Sequence, residues 1–404
     1  MEFADEHSHK LNDIFDIKKL LTDEDYRKEC NILVSQQGVL YVLKYNRKML
    51  DENNWNTLGL FRSVIVTDTG NIICYAPPKS NSYINTETLF SENNVCDFSI
   101  EEIIEGSMIN LFWYDEINDW ELTTRSQIGA KSKYNYESTN TFRYMFLETM
   151  NDMNIDFNDF DKNFCYSFIL QHPDNKRICH IKEKKLYLTN IYIISKSRYG
   201  EITPVPRKMM YDKLSLIIKE PSNKNIVLPQ LCNFTNDEGE NDITKESFDN
   251  ILNSYHDFNF VGYMINLPLK RIKFTNPEYN KIKNLKGNSP RLQYTYYELR
   301  KKGKVKEYLR YFPQNSDMFN TFRKDLHNYT KNLYNCYRSC YIQKNKPVKD
   351  FPYQYKTHMY YLHQLYLENY KDNNDYINLQ KVIYYVNNLE TPRLLYIINY
   401  ASTN

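Results

Sequence analysis

Residues 103–112 read IIEGSMINLF, and this stretch decides how the first part of the chain is interpreted. From Met108 onward it is an apolar run of the length expected for a buried β-strand. Just before that run stand an acid, a glycine and a serine, at Glu105, Gly106 and Ser107. A glycine beside a carboxylate lets the backbone turn closely, so the stretch predicts a strand that enters a binding pocket.

Strand patterns surround this stretch on both sides. The segment SVIVTDTGNIICYA (63–76) predicts a hairpin that turns at Asp68, Thr69 and Gly70. Further strands are predicted at QGVLYVLKYN (37–46), FCYSFILQH (164–172), RICHIK (177–182), LYLTNIYIIS (186–195) and VGYMINLPLKRIKF (261–274). Helices are expected at LNDIFDIKKLL (11–21), TFRYMFLETMNDM (141–153) and KMMYDKLSLIIKE (208–220).

From Pro277 onward the chain reads as Tyr-rich helices, punctuated by Pro313, Pro347 and Pro352. We therefore predict an α+β domain of antiparallel sheets forming a cleft over residues 1–276, with an acidic loop at 233–244. An all-helical C-terminal domain is predicted to follow over residues 277–404.

The formal net charge of +2 conceals a strong segregation of charge along the 404 residues. Residues 267–310 hold 13 lysines and arginines and 3 glutamates, interleaved with aromatic residues. Cations attract phosphates and aromatic rings stack on unpaired bases, so this stretch predicts RNA or DNA as a partner, although a solvated helical face is the simpler alternative. The predicted nucleic-acid-binding residues are Lys281, Lys283, Lys286, Arg291, Arg300, Lys301, Lys302 and Lys304.

The eight cysteines form no CxxC pair, so no metal site is predicted and the thiols are expected to be reduced. The start of the sequence, MEFADEHSHKL (1–11), is acidic and polar and does not resemble a signal peptide. No apolar run approaches the roughly 20 residues that span a bilayer. These features predict an intracellular, cytoplasmic protein without a membrane partner.

Four blocks occur in order, at residues 38–46, 59–80, 101–112 and 121–132. Together they resemble the adenylyltransferase domain of ATP-dependent RNA ligases of the bacteriophage tRNA-repair type, over roughly residues 36–275. The whole chain is also similar to uncharacterised proteins of large nucleocytoplasmic DNA viruses. The resemblance implies an RNA ligase-like nucleotidyltransferase fold, in which a lysine attacks the α-phosphate of ATP.

The resemblance also implies which residues face the nucleotide. Arg62 matches the family's strand arginine, and Lys79 its triphosphate-contacting lysine. The implied nucleotide- or phosphate-binding residues are Arg62, Lys79, Glu105, Gly106, Arg125, Arg271 and Lys273.

Three positions depart from the family pattern. Ile103 stands where the family has its lysine nucleophile, and Ile169 and Val261 stand where it has two glutamates. Because isoleucine cannot form a phosphoramidate, no catalytic residue is assigned. Lys44 and Lys79 are the nearest candidates for a substitute nucleophile.

The leading hypothesis is therefore a catalytically degenerate RNA ligase-like protein that binds nucleic acid or nucleotide phosphates. One alternative is an active ATP-dependent RNA ligase with a relocated lysine nucleophile. Only that alternative implies ATP and Mg²⁺ as cofactors. A second alternative is a structural protein that has viral protein partners, in the host cytoplasm or in a virion.

Overall fold

The computed structural model describes residues 8–82, 99–134, 138–175, 178–195, 200–212, 226–232, 246, 249–250, 257–267 and 270–400. The predicted acidic loop at 233–244 and most of the predicted helix at 208–220 lie outside these residues. The chain divides into two compact units, Met1–Asn280 and Lys281–Asn404. Antiparallel sheets with helices come first and helices follow, which confirms the predicted α+β class with a helical C-terminal part.

The described residues of the first unit form three antiparallel sheets. The strands are β1 (His9–Lys10), β2 (Ile32–Gln37), β3 (Leu40–Tyr45), β4 (Val64–Thr67), β5 (Ile72–Tyr75), β6 (Ser99–Glu102), β7 (Ser107–Tyr114), β8 (Asp119–Thr123), β9 (Phe164–Gln171), β10 (Lys185–Ile194), β11 (Glu201–Pro204), β12 (Gly262–Asn266) and β13 (Arg271–Thr275). Their spatial orders are β1-β11-β10-β9-β7-β8, β13-β12-β6 and β2-β3-β4-β5.

Helices accompany the sheets and make up the second unit. The first unit contains α1 (Ile17–Thr22), α2 (Glu24–Glu29), α3 (Phe142–Asp152) and α4 (Arg207–Asp212), and α5 (Pro277–Lys286) runs from its end into the second unit. The second unit continues with α6 (Leu292–Lys301), α7 (Val305–Tyr311), α8 (Ser316–Tyr337), α9 (Tyr353–Asn369), α10 (Leu379–Asn388) and α11 (Thr391–Ile398). A helix with the length and apolar character needed to cross a membrane does not occur among the described residues.

Strand β7, the apolar part of the opening stretch, is buried along most of its length. Side chains alternate across a strand, so Ile109 and Leu111 face one side and Phe112 and Tyr114 the other. The first pair packs into a core with α3, and the second pair packs into the core beneath the four-stranded sheet. Two-sided burial explains why the run is apolar at consecutive positions and does not alternate.

Two predicted elements are corrected by the structure. Residues 178–182 of RICHIK (177–182) form no strand. The backbone N–H groups of Ile178 and Cys179 donate to the Glu105 carboxylate. The predicted helix at residues 11–21 is a 3₁₀ turn followed by α1, because the Asp16 side chain accepts a hydrogen bond from Lys19 N and caps a new helix start.

The three-stranded sheet depends on a close approach between β12 and β13. Gly262 has a φ of +138°, and a Cβ placed there would lie 2.0 Å from the carbonyl oxygen of Phe274. Only glycine fits this position without moving the backbone. The sheet therefore brings its β6 edge, which leads into Ile103, beside the backbone of Gly262.

Candidate anion-binding site

Ile103 lies on the same face of the three-stranded sheet as two of the predicted phosphate-binding cations. Lys273 on β13 opposes Met264 on β12, which opposes Glu101 on β6. The ladder continues to Ile103, whose N–H donates to the Gly262 carbonyl at 2.8 Å. Since side chains alternate along a strand, Ile103 shares the face of Glu101 and Lys273. An aliphatic side chain thus occupies the position that the resemblance assigns to the nucleophile.

The two other aliphatic replacements, Ile169 and Val261, lie on β9 and directly before β12. Ile169 lies on β9 opposite Met108, and its Cγ2 would be 2.5 Å from a Cβ on Gly106. Val261 is buried directly before the strained Gly262, and its carbonyl accepts a hydrogen bond from Asn276 N. Both side chains therefore lie in tightly packed surroundings.

Five predicted cations come together in the structure although they are spread from residue 62 to residue 273 of the sequence. We call Arg62, Lys79, Arg125, Arg271 and Lys273 the cation cluster. Burial, followed by repulsion from the other four cations, lowers the pKa of Lys79 to about 7. A lysine with that pKa is only partly protonated at neutral pH. The lowered pKa reflects how unfavourable a further positive charge is at this position.

Backbone contacts explain why Lys79 reaches the cluster. Its N–H donates to the Gly59 carbonyl at 2.9 Å, and its carbonyl accepts from the Trp55 indole at 2.8 Å. Two residues later, Asn81 N donates to the Arg271 carbonyl, and Lys273 N donates to the Asn81 carbonyl. The segment after β5 is thereby attached along the edge of β13. Its lysine ammonium lies 5.4 Å from the centre of the Trp55 ring.

Arg62 and Arg271 of the cluster are partly buried. Burial, followed by repulsion from Arg271, lowers the pKa of Arg62 to about 10. Burial also lowers the pKa of Arg271, and its Nε is buried without a hydrogen-bond partner among the described residues. Arg125 stacks its guanidinium 4.7 Å from the Tyr45 ring centre and donates from Nε to the Arg62 carbonyl. Buried charged donors without acceptors are costly unless a ligand satisfies them.

Glu101 is the buried carboxylate that the sequence analysis did not assign. Its Oε1 accepts hydrogen bonds from the Arg207 guanidinium and from the Tyr211 hydroxyl, and its Oε2 accepts from Asn266 Nδ2 at 3.0 Å. Burial raises its pKa, and Arg207 opposes that effect. The available signal was a pair of glutamates flanked by isoleucines in the segment SIEEII (99–104). Glu101 partly offsets Arg271 but is not among the groups that shift the pKa of Lys79.

Glu105 and Gly106 have internal partners. One Glu105 oxygen accepts from Ile178 N and Cys179 N, and the other accepts from the Tyr279 hydroxyl at 2.7 Å. A Cβ on Gly106 would lie 2.5 Å from the Leu170 carbonyl oxygen, so glycine allows the chain to pass close to β9. Gly106 therefore allows close packing against β9, and the Glu105 carboxylate accepts hydrogen bonds from the protein itself.

The eight cations predicted to bind nucleic acid all lie on α5–α7 or on the loops between them. Several already have partners: Arg300 donates to Asn387 at 2.7 Å, Lys301 pairs with Glu390 at 2.9 Å, and Lys302 pairs with Glu298 at 3.4 Å. By position, Lys281, Lys283 and Lys286 lie on α5, Arg291 lies at the start of α6, and the exposed Lys304 lies before α7.

The described residues around the cation cluster do not form a site for a protein-held Mg²⁺ ion. Magnesium prefers carboxylate oxygens, and Ile169 and Val261 occupy the two positions that the resemblance assigns to glutamates. Glu101 is engaged by Arg207 and Asn266, and Glu105 by backbone N–H groups and Tyr279. In the parts of the chain that the structure describes, no group of three or more His, Cys, Asp or Glu residues has the arrangement of a metal site.

No protein-family model matches the chain, and no curated protein matches it. Solved structures similar to it include a putative ATP-dependent DNA ligase from Aquifex aeolicus, with 13% identity, a TM-score of 0.40, and coverage of 86% of this chain and 79% of that chain. An archaeal ATP-dependent RNA ligase has 11% identity, a TM-score of 0.43, and coverage of 96% and 79%. A mutant RNA ligase from Naegleria gruberi, with ATP and Mn, has 12% identity, a TM-score of 0.35, and coverage of 58% and 68%. All three TM-scores lie below 0.5, and these similarities carry no argument about the chemistry of this chain.

Proposed function

We propose that this chain is an RNA ligase-like protein that binds, without covalent catalysis, the phosphates of a nucleotide or of a nucleic-acid end. The observation that carries the proposal is the cation cluster, in which like charges are held together and partly buried. The groups that shift the pKa of Lys79, besides burial, are four cations. A ligand with several negative charges would stabilise the charged form of Lys79, and Arg271 Nε would gain an acceptor.

The absence of covalent chemistry is part of the same proposal. Ile103 shares the face of Lys273 but has no heteroatom with which to attack phosphorus. Ile169 and Val261 likewise offer no carboxylate. We therefore propose that the five side chains of the cation cluster bind phosphate and that no covalent bond forms at Ile103.

Replacing Arg271 and Lys273 together by alanine is expected to weaken ATP binding by at least about 100-fold, because each charged hydrogen bond contributes roughly 1.5–3 kcal/mol. Titration calorimetry at about 50 mM salt measures this, with tripolyphosphate and a 5′-phosphorylated RNA oligonucleotide as parallel ligands. The matched control replaces Lys48 and Lys182, two exposed lysines outside the cluster. Equal ATP affinity in the cluster variant and the wild type would contradict the proposal, as would a wild type that binds none of these ligands.

A second candidate function, an ATP-dependent ligase with a relocated nucleophile, is favoured by the pKa of Lys79, which is about 7. A neutral amine can attack the α-phosphate of ATP, forming a nitrogen–phosphorus bond while pyrophosphate leaves and the amine loses a proton. Lys44 is a weaker candidate: burial and then Arg125 lower its pKa, and its ammonium donates to Ser126 Oγ at 2.9 Å.

Incubation with α-labelled ATP and magnesium, followed by a denaturing gel, separates the two functions. Non-covalent binding predicts no labelled protein band. The relocated nucleophile predicts a band that disappears in Lys79→Arg and persists in Lys44→Arg. Arginine keeps the charge at each position but is not a nucleophile at neutral pH, so loss of the band would identify the attacking amine.

A further inference from the structure

The second unit is strongly basic although the whole chain is nearly neutral. Residues 281–404 contain 21 lysines and arginines and 9 aspartates and glutamates, a formal charge of +12. A charge of that size on a small helical unit favours an anionic macromolecule as partner. The question is whether the structure gathers these charges around a particular place.

Four of these lysines line one surface cavity. It has a volume of about 480 Å³ and lies between α5, α6 and the start of α7. Its cations come from three segments, with Lys281 and Lys286 on α5, Lys302 after α6, and Lys304 before α7. Pockets of roughly 300–1,000 Å³ suit small ligands, so this volume suits a single nucleotide unit.

The acidic residues of the cavity are partly compensated within the protein. Glu298 accepts a hydrogen bond from the Thr391 hydroxyl and pairs with Lys302 at 3.4 Å. The Thr391 hydrogen bond, followed by the contact with Lys302, lowers the pKa of Glu298, so it remains a charged partner for that lysine. Glu307 is the second acid. With four lysines and two glutamates, the lining has an excess of positive charge.

The rest of the lining suits a base more than a peptide side chain. Tyr294 is partly buried in the wall and offers a ring on which a base can stack. Asn284, Asn288 and Ser289 contribute amide and hydroxyl groups, which both donate and accept hydrogen bonds. Cations, a ring and neutral polar groups in one cavity match a phosphate joined to a nucleobase.

We propose that this cavity binds one nucleotide of a single-stranded nucleic acid, with its phosphate at the lysines and its base against Tyr294. The site lies entirely within the second unit and does not involve the cation cluster, so it goes beyond the function proposed above. A cavity with this lining differs from a solvated charged helix face, because it can enclose part of the ligand.

The test measures the anisotropy of a fluorescent, 5′-hydroxyl oligouridylate of 12 nucleotides bound to the full chain. Replacing Lys281, Lys286 and Lys304 by alanine is expected to weaken binding at least tenfold at about 50 mM salt. It should also lower the slope of log K against log salt by about 0.7, the contribution of one phosphate of a single strand. The control replaces three exposed lysines of the same unit outside the cavity, Lys324, Lys331 and Lys371, and should change affinity less than about threefold.

A second pair of variants keeps the inference testable if the triple variant does not fold. Tyr294→Leu removes the ring and should weaken binding about 5- to 100-fold, whereas Tyr294→Phe keeps the ring and should preserve it. Equal losses in the cavity and control lysine triples would overturn the inference, as would equal affinities of Tyr294→Leu and Tyr294→Phe.

Two further outcomes identify a different partner or place. Displacement of the RNA by polyglutamate at equal charge concentration would assign the cavity to an acidic protein and overturn the nucleic-acid inference. If the Arg271 and Lys273 double variant loses the oligouridylate while the cavity triple keeps it, RNA binds at the cation cluster. Retention of the oligouridylate by that double variant, with loss of ATP, supports two separate sites.

Discussion

The affinity of the protein for ATP is expected to fall about 100-fold between pH 7.5 and pH 9.5. Free Lys79 has a pKa of about 7, because burial and four neighbouring cations disfavour its charged form. A bound phosphate favours the ammonium and raises that pKa, so binding takes up a proton at any pH between the two values. Each pH unit in that window then costs about tenfold in affinity. ATP is fully ionised throughout the window and does not contribute to the slope.

The control for this prediction is Lys79→Arg. A guanidinium at position 79 stays protonated across the same range, so its titration should give a nearly flat profile with affinity retained at high pH. Calorimetry in two buffers of different ionisation enthalpy gives the proton uptake directly. The same slope in wild type and Lys79→Arg would assign the pH dependence to another group, and a flat wild-type profile would place the phosphate away from Lys79.

Replacing Gly262 by alanine is expected to lower the free energy of unfolding of the first unit by more than about 4 kcal/mol. The residue has a φ of +138°, and the added Cβ would lie 2.0 Å from the Phe274 oxygen and 2.8 Å from Thr275 Cα. Both are backbone atoms of the partner strand, so neither can move without disrupting β12 and β13. Urea unfolding followed by tryptophan fluorescence measures the loss, since all three tryptophans, Trp55, Trp113 and Trp120, lie in the first unit.

Gly38→Ala is the matched control. Gly38 has a φ of +67°, and a Cβ there would meet no atom within 4 Å. Its replacement should cost only the roughly 1–2 kcal/mol of a left-handed alanine. Similar losses in the two variants would mean that backbone conformation, and not the approach of β13, requires glycine at position 262.

The local sequence pattern predicts a strand correctly where its backbone hydrogen bonds are made to a neighbouring strand. The pairs β4–β5 and β12–β13 lie close together in sequence, and their turns and alternation are visible there. RICHIK has the same alternation, but the N–H groups of Ile178 and Cys179 bond to a carboxylate 73 and 74 residues away. A periodic pattern carries no information about such a distant acceptor, and this explains the incorrect strand prediction.

In the candidate site, too, some features could be predicted from the sequence and others depend on contacts between distant residues. The residue types of the cation cluster were identified from the resemblance, but their mutual repulsion depends on the attachment of Asn81 to β13. Glu101 was missed because its role depends on Arg207, more than 100 residues later, and on Asn266 across the sheet. Glu105 stays a predicted contact of the nucleotide, and the sequence pattern could not show that its oxygens accept hydrogen bonds from Ile178 N, Cys179 N and the Tyr279 hydroxyl.

The hydrogen bond between Tyr279 and Glu105 bears on where the chain can be cut. Tyr279 belongs to the first turn of α5, yet its hydroxyl donates the third hydrogen bond to the Glu105 carboxylate, which is buried next to β7. A fragment that stops at residue 276 would lack this donor and leave one oxygen of a buried anion unsatisfied. A fragment that extends through Asn280 retains it. For limited proteolysis or separate expression of the α+β unit, the first turn of α5 therefore has to stay with the sheets.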